Sequence, residues 1–190
     1  MTSGIDLFLS SEKVDLAAFE DEFSGFSKAV RLEMLPRYHV DSELPHIRDF
    51  LAGKPTDFSF NSEWYGLIRS AVQRGASMLH FRGLPDDPTP YLRFELAAYQ
   101  GAHDAGEEFR FLYNHEIEGA VGEADALPDF WLFDDARAYP ILYDGRGGVL
   151  GVVRADRQAT ASLVALVEKL KSISPRSLQW AREVYVDLRN

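Results

Sequence analysis

The chain has 190 residues, 46% apolar and 13% aromatic, and its twenty Lys and Arg stand against thirty Asp and Glu for a formal charge of −10. That length and apolar content build one sizeable core and exclude a disordered chain. The acidity argues against direct binding of DNA, RNA or anionic lipid, and the lack of cysteine excludes disulfides, thiolate metal sites, iron–sulfur clusters and a cysteine nucleophile.

At the N-terminus, MTSGIDLFLSSEKVD has no basic region, and Asp6 interrupts the apolar run at 5–9, so no secretory signal is expected. No apolar stretch reaches the roughly 18 residues that cross a bilayer. A cytoplasmic location without membrane attachment is the expectation.

Leu16, Phe19, Phe23 and Phe26 recur at helical spacing and predict a short amphipathic helix. Residues 30–35 alternate as a strand, with Arg31 and Glu33 on one face and Val30, Leu32 and Met34 on the other. Pro45 opens a helix carrying Ile47, Phe50 and Leu51, and Gly53 closes it. Trp64, Leu67, Ile68, Ala71 and Val72 form the clearest helical stripe, ended by Gly75.

Residues 77–83 read as a strand with Leu79 and Phe81 on the core face and Met78, His80 and Arg82 opposite. A proline-rich loop leads to a helix over 90–99 and then, after Gly106, to a strand over 107–113. There, Phe109, Phe111 and Tyr113 share one face and Glu108, Arg110 and Leu112 the other. The run DFWLFDD at 129–135 is apolar on both faces, as expected of a strand covered on both sides. Its flanking carboxylates read as an acidic rim.

Strands over 138–143 and 149–153 follow, joined by the hairpin signature Asp144-Gly145-Arg146-Gly147-Gly148. Asp156 caps a helix bearing Leu163, Leu166, Val167 and Leu170. Ser174 and Pro175 suit the start of a last helix with Leu178, Ala181, Val184, Tyr185 and Leu188. The expected fold is α+β: a mostly antiparallel sheet flanked by helices. The expected organisation is a core domain over 1–155 and a C-terminal helical hairpin over 156–190, packed on the core or used for association.

Motifs that carry chemistry are scarce. The glycines at 145–151 match neither a P-loop nor G-x-G-x-x-G, and they lead into a strand rather than a helix. His115-Glu116 starts like a zinc-protease helix, but residue 119 is Gly where the second imidazole is needed. His103, Asp104, Glu107 and Glu108 fit an acidic solvated loop better than a metal site. There is no G-x-S-x-G elbow. No metal and no cofactor are expected, and whether the chain is an enzyme stays open.

One constellation stands out. If the strands over 77–83 and 107–113 share a sheet, His80, Arg82, Glu108 and Arg110 meet on its polar face, next to Tyr91, Arg93 and Glu95 of the following helix. Two readings remain open: a buried Arg–Glu network that fixes strand to helix, or a pocket for a small anionic molecule. In the pocket, Arg82, Tyr91, Arg93, Glu95 and Arg110 bind the ligand and His80 or Glu108 carries a proton.

The segments AVRLEMLPRYHV, HFRGLPDDPTPYLRFEL, GEEFRFL and above all DFWLFDD resemble an uncharacterised actinobacterial family of about this length, often encoded beside helix-turn-helix regulators. The resemblance spans residues 27–155. It implies a regulatory protein that works with such a regulator, or with another protein partner, without itself contacting DNA. An acidic body and a basic DNA-binding partner associate quickly through complementary charge.

Overall fold

Seven strands form one mixed sheet in the computed structural model, which describes residues 13–122 and 127–186. They are β1 (Lys13–Val14), β2 (Lys28–Glu33), β3 (Ser77–Leu84), β4 (Glu108–Tyr113), β5 (Phe130–Phe133), β6 (Arg137–Tyr143) and β7 (Val149–Val153), in the spatial order β1-β7-β6-β5-β2-β3-β4. The helices are α1 (Leu16–Glu20), α2 (Leu44–Leu51), α3 (Ser62–Gln73), α4 (Pro90–Ala105), α5 (Asn114–Val121), α6 (Arg157–Ser172) and α7 (Leu178–Tyr185). The apolar run at 5–9 and Leu188 lie outside the described residues.

The sheet is α+β in character and mostly antiparallel, as expected. β2 pairs with β5, and β5, β6, β7 and β1 continue antiparallel. The other end differs: β2, β3 and β4 run parallel. The first crossover runs through α2 and α3 and the second through α4, because parallel neighbours need a crossover. Local chemistry sets these helices. Gly75, at φ 86°, ends α3, and the Thr89 hydroxyl accepts the Leu92 N–H at 3.0 Å to start α4 ahead of Pro90.

Both faces of the sheet are covered. Ala29, Met78, Phe109, Phe111, Trp131 and Phe133 pack with α3, α4 and α7 on one face. Val30, Leu32, Phe81, Leu112, Phe130 and Leu132 pack with α5 and α6 on the other. All four residues of β5 are buried, as its two apolar faces predict. Burying each such side chain stabilises the fold by about 1.5–3 kcal/mol.

Several expectations are refined. The N-terminal helix stops at Glu20 and tightens into a 3₁₀ turn at Asp21–Ser24, leaving Leu16 56% exposed while Phe23 and Phe26 enter the core. The last helix is capped by Ser177, whose hydroxyl accepts the Trp180 N–H at 3.1 Å, and not by Ser174. The two C-terminal helices belong to different cores, α6 with α5, β5 and β6, and α7 with α4 and β4. Both helices pack on the sheet, one on each face. Just before α7, Arg176 exchanges backbone hydrogen bonds with Phe111 and closes the free edge of β4.

Of the carboxylates around DFWLFDD, Asp135 is exposed as a rim residue, but Asp129 and Asp134 serve the fold. Asp129 is buried, only 4% exposed. Asp134 and Asp135 take positive φ angles of 54° and 53° in the tight turn between β5 and β6, and Asp134 Oδ1 accepts the Ser27 and Lys28 N–H groups at 2.9 Å. Short acidic side chains tolerate that left-handed backbone and pin the turn to β2.

Candidate functional site

Alternation along β2 turns Arg31 and Glu33 to the α4 side, and the parallel register sets them beside His80 and Arg82 of β3. Tyr91, Glu95 and Tyr99, four residues apart on α4, form one stripe above them. The result is a buried ionic layer between sheet and helix. His80 Nε2 lies 2.8 Å from Glu33 Oε2, and His80 Nδ1 lies 3.4 Å from Glu107 Oε1. Tyr99 donates its hydroxyl proton to Glu33 Oε2 at 2.8 Å, and Arg31 pairs with the other Glu33 oxygen.

Arg82 is fully buried. Its Nε and one terminal nitrogen hold Glu95 Oε2 at 3.1 and 2.9 Å, and the guanidinium also donates to the carbonyls of Glu33, Gly83 and Leu35. Asp129, entering from β5, accepts the Met34 N–H at 2.7 Å and the Tyr38 hydroxyl.

Proton affinities follow from this burial. Burial pushes the Glu33 carboxyl up, but Arg31, His80 and Arg82 outweigh it and hold the group well below the usual carboxylate range. Burial would strip the proton from His80, yet the Glu33 and Glu107 carboxylates reverse that and raise its pKa. Glu95 is raised by burial in spite of Arg82. Asp129 is pushed up to about 6 by burial and by the Glu33 charge.

Above this layer opens a cavity of about 400 Å³, within the size range of small-molecule sites. β2, β5 and β6 supply Arg31, Glu33, Trp131 and Tyr143. Helices α3 and α4 supply Trp64, Tyr65, Tyr91, Phe94, Glu95 and Tyr99, and Phe19, Phe23 and Tyr38 complete ten aromatic side chains in the wall. Arg31 lies over the Trp131 ring, 5.2 Å from its centroid.

The rim includes Val40, Glu43, Gly147 and Val149. The glycine-rich hairpin is therefore part of the cavity wall and not a phosphate loop. Gly147, at φ 86°, lets it press against residues 37–38, where a Cβ would sit 2.6 Å from the Arg37 carbonyl oxygen. The His39 N–H closes the contact on the Gly147 carbonyl at 3.0 Å.

The residues singled out in the sequence are divided by the fold. Tyr91 and Glu95 line the cavity, while His80 and Arg82 lie beneath it, 0% exposed. Arg93 is half-buried on α4 but outside the cavity wall. Glu108 and Arg110 point to the opposite face, where they pair with each other at 2.8 Å. The expected grouping of Glu108 and Arg110 with His80 and Arg82 is thus corrected: the β3–β4 register places Phe109 and Phe111 beside them instead. Nor do His103, Asp104, Glu107 and Glu108 act together, since Glu107 turns into the cavity and Glu108 away from it.

Sequence reasoning misses Arg31, Glu33, Tyr38 and Tyr99, and takes Glu107 only as part of an acidic solvated loop. The available signal was the polar face of β2, where two opposite charges alternate with core residues.

Fold and site define an α+β domain with a ligand-sized aromatic cavity above a buried ionic layer. The chain belongs to the family described as a domain of unknown function (DUF6879), which matches residues 17–179 and so takes in the whole cavity wall. No curated protein matches it. Among the described residues, no helix is long and apolar enough to cross a membrane.

Proposed function

We propose that the protein is a small-molecule sensor, a regulatory protein that holds an organic ligand in the aromatic cavity. The cavity carries this reading: aromatic walls with a few placed charges are how proteins bury most of a small ligand's surface. A purely structural ionic layer would need no open space above it. The anion clamp expected of Arg82, Arg93 and Arg110 is not what supports the proposal, because Arg82 is occupied by Glu95 and Arg110 faces elsewhere.

The test fills the space. Ala98 lines the cavity, and Ala98→Trp is expected to keep the fold while abolishing the thermal shift that a small-molecule library gives the unchanged protein. A library that stabilises both proteins equally removes the cavity from consideration.

A second part of the reading concerns signalling, and it rests on the resemblance to actinobacterial proteins encoded beside helix-turn-helix regulators. The formal charge of −10 suits a basic DNA-binding partner in the cytoplasm. Co-purification with the neighbouring regulator should weaken steeply as salt rises. A complex indifferent to salt, or none at low salt, rejects this part alone.

A further inference from the structure

We infer that the ligand is an organic cation, a substituted ammonium held between aromatic faces and carboxylates; this rests on the reading of the cavity as a small-molecule site. The wall carries four carboxylates, Glu33, Glu43, Glu95 and Glu107, against one guanidinium, Arg31. That guanidinium is already paired with Glu33 and lies over Trp131. With Arg82 and the His80 imidazolium beneath the wall, three cations answer Glu33, Glu95 and Glu107, and Glu43 at the rim is the carboxylate left for an entering cation.

Glu107 marks the place most directly. It is 2% exposed, and its Oε1 accepts no hydrogen bond, with His80 Nδ1 at 3.4 Å as its nearest charged neighbour. The His80 imidazolium supplies charge at that oxygen but no hydrogen bond, and a buried acceptor left without a donor is costly until a ligand N–H completes it. At the rim, Glu43 takes the Tyr91 hydroxyl at 2.9 Å and keeps its second oxygen free of side-chain donors.

The aromatic wall acts in the same direction. The faces of Trp, Tyr and Phe carry negative quadrupoles that attract a desolvated ammonium and repel a sulfonate or carboxylate. Arg31 Nε, buried without an acceptor, suits a neutral oxygen elsewhere on the same ligand.

Three probes of similar size separate the possibilities: benzylammonium, benzyl alcohol and benzenesulfonate. Binding is read by calorimetry and by fluorescence of Trp64 and Trp131, which line the cavity. The cation is expected to bind about tenfold or more tightly than either competitor. Glu43→Gln and Glu107→Gln should each weaken the cation severalfold and leave the alcohol unchanged. Glu43, at the rim, serves if the buried Glu107 substitution unfolds the chain. If sulfonate or alcohol binds as well as the cation, or both Gln variants bind the cation unchanged, the charge assignment falls and the cavity reading stands. If no probe binds and no library compound is sensitive to Ala98→Trp, both fall.

Discussion

His80 Nε2 stands 2.8 Å from Glu33 Oε2, and the two side chains are 0% and 3% exposed. An imidazolium in contact with a carboxylate on each ring nitrogen is a charge held by its neighbours and not by water. Because folding raises the His80 pKa, its stabilising contribution is full below the unfolded value of about 6.5 and is lost as pH rises through the folded value. Asp129, raised from 3.8 to about 6, acts in the same sense: folding binds its proton, so stability falls as pH climbs between those values.

Glu33 has the opposite sign. Its lowered pKa gives stability that is present above the ordinary carboxylate range and is lost in stronger acid. The expected profile is a maximum in mildly acidic solution, with decline toward pH 8 and collapse below about pH 4. Urea melts across pH check it. His80→Gln should flatten the limb above neutrality; an unchanged slope there shows that His80 is not charged in the fold.

Removing Arg82 leaves Glu95 buried without its guanidinium and takes one donor from each of three backbone carbonyls. Arg82→Met should cost about 3–5 kcal/mol, the usual penalty for orphaning a buried ion. Combining it with Glu95→Leu should return part of that loss, because the stranded charge leaves with its partner. Denaturant midpoints for the single and double variants decide it, and a double variant weaker than the sum of the singles contradicts it.

Asp129 ties β5 to the chain after β2 through Met34 and Tyr38. Asp129→Ala strands a buried amide and a buried hydroxyl, at about 1–3 kcal/mol each. Asp129→Asn keeps an acceptor for the amide and should lose clearly less. It should also remove the part of the pH dependence below about 6 that belongs to this carboxyl. Equal losses in the two variants point to packing and not hydrogen bonding.

At Gly147 a methyl group meets both a positive φ and the Arg37 carbonyl oxygen. Gly147→Ala is expected to destabilise by about 1–3 kcal/mol and to loosen the segment carrying Tyr38 and Val40, weakening any cavity ligand beyond the loss of fold stability. Melts and probe titration on the same sample separate the two effects.

Much of this architecture is legible in the sequence, and the failures share one cause. The Trp64–Val72 stripe, the buried run Phe130–Phe133 and the Asp144–Gly148 hairpin are local patterns, and each became the expected element. Facing across strands is not local. In β3 and β4, polar and apolar residues alternate along both strands, so pattern alone does not say whether Arg82 stands beside Arg110 or Phe111. Parallel register chose Phe111, and moved Glu108 and Arg110 to the other face. The parallel pairing was itself readable from the helices between those strands. Glu33 was hidden differently: one acidic residue on an amphipathic strand is ordinary until His80, Tyr99 and Arg31 converge on it.

The pairing of Lys13–Val14 with Val152–Val153 has a consequence for biosynthesis. Among the described residues, the first strand in chain order has no neighbour until the last has been made, so the sheet closes late in translation. Loop closure across such a separation is slow, and until β7 arrives β6 presents an open border to other nascent chains.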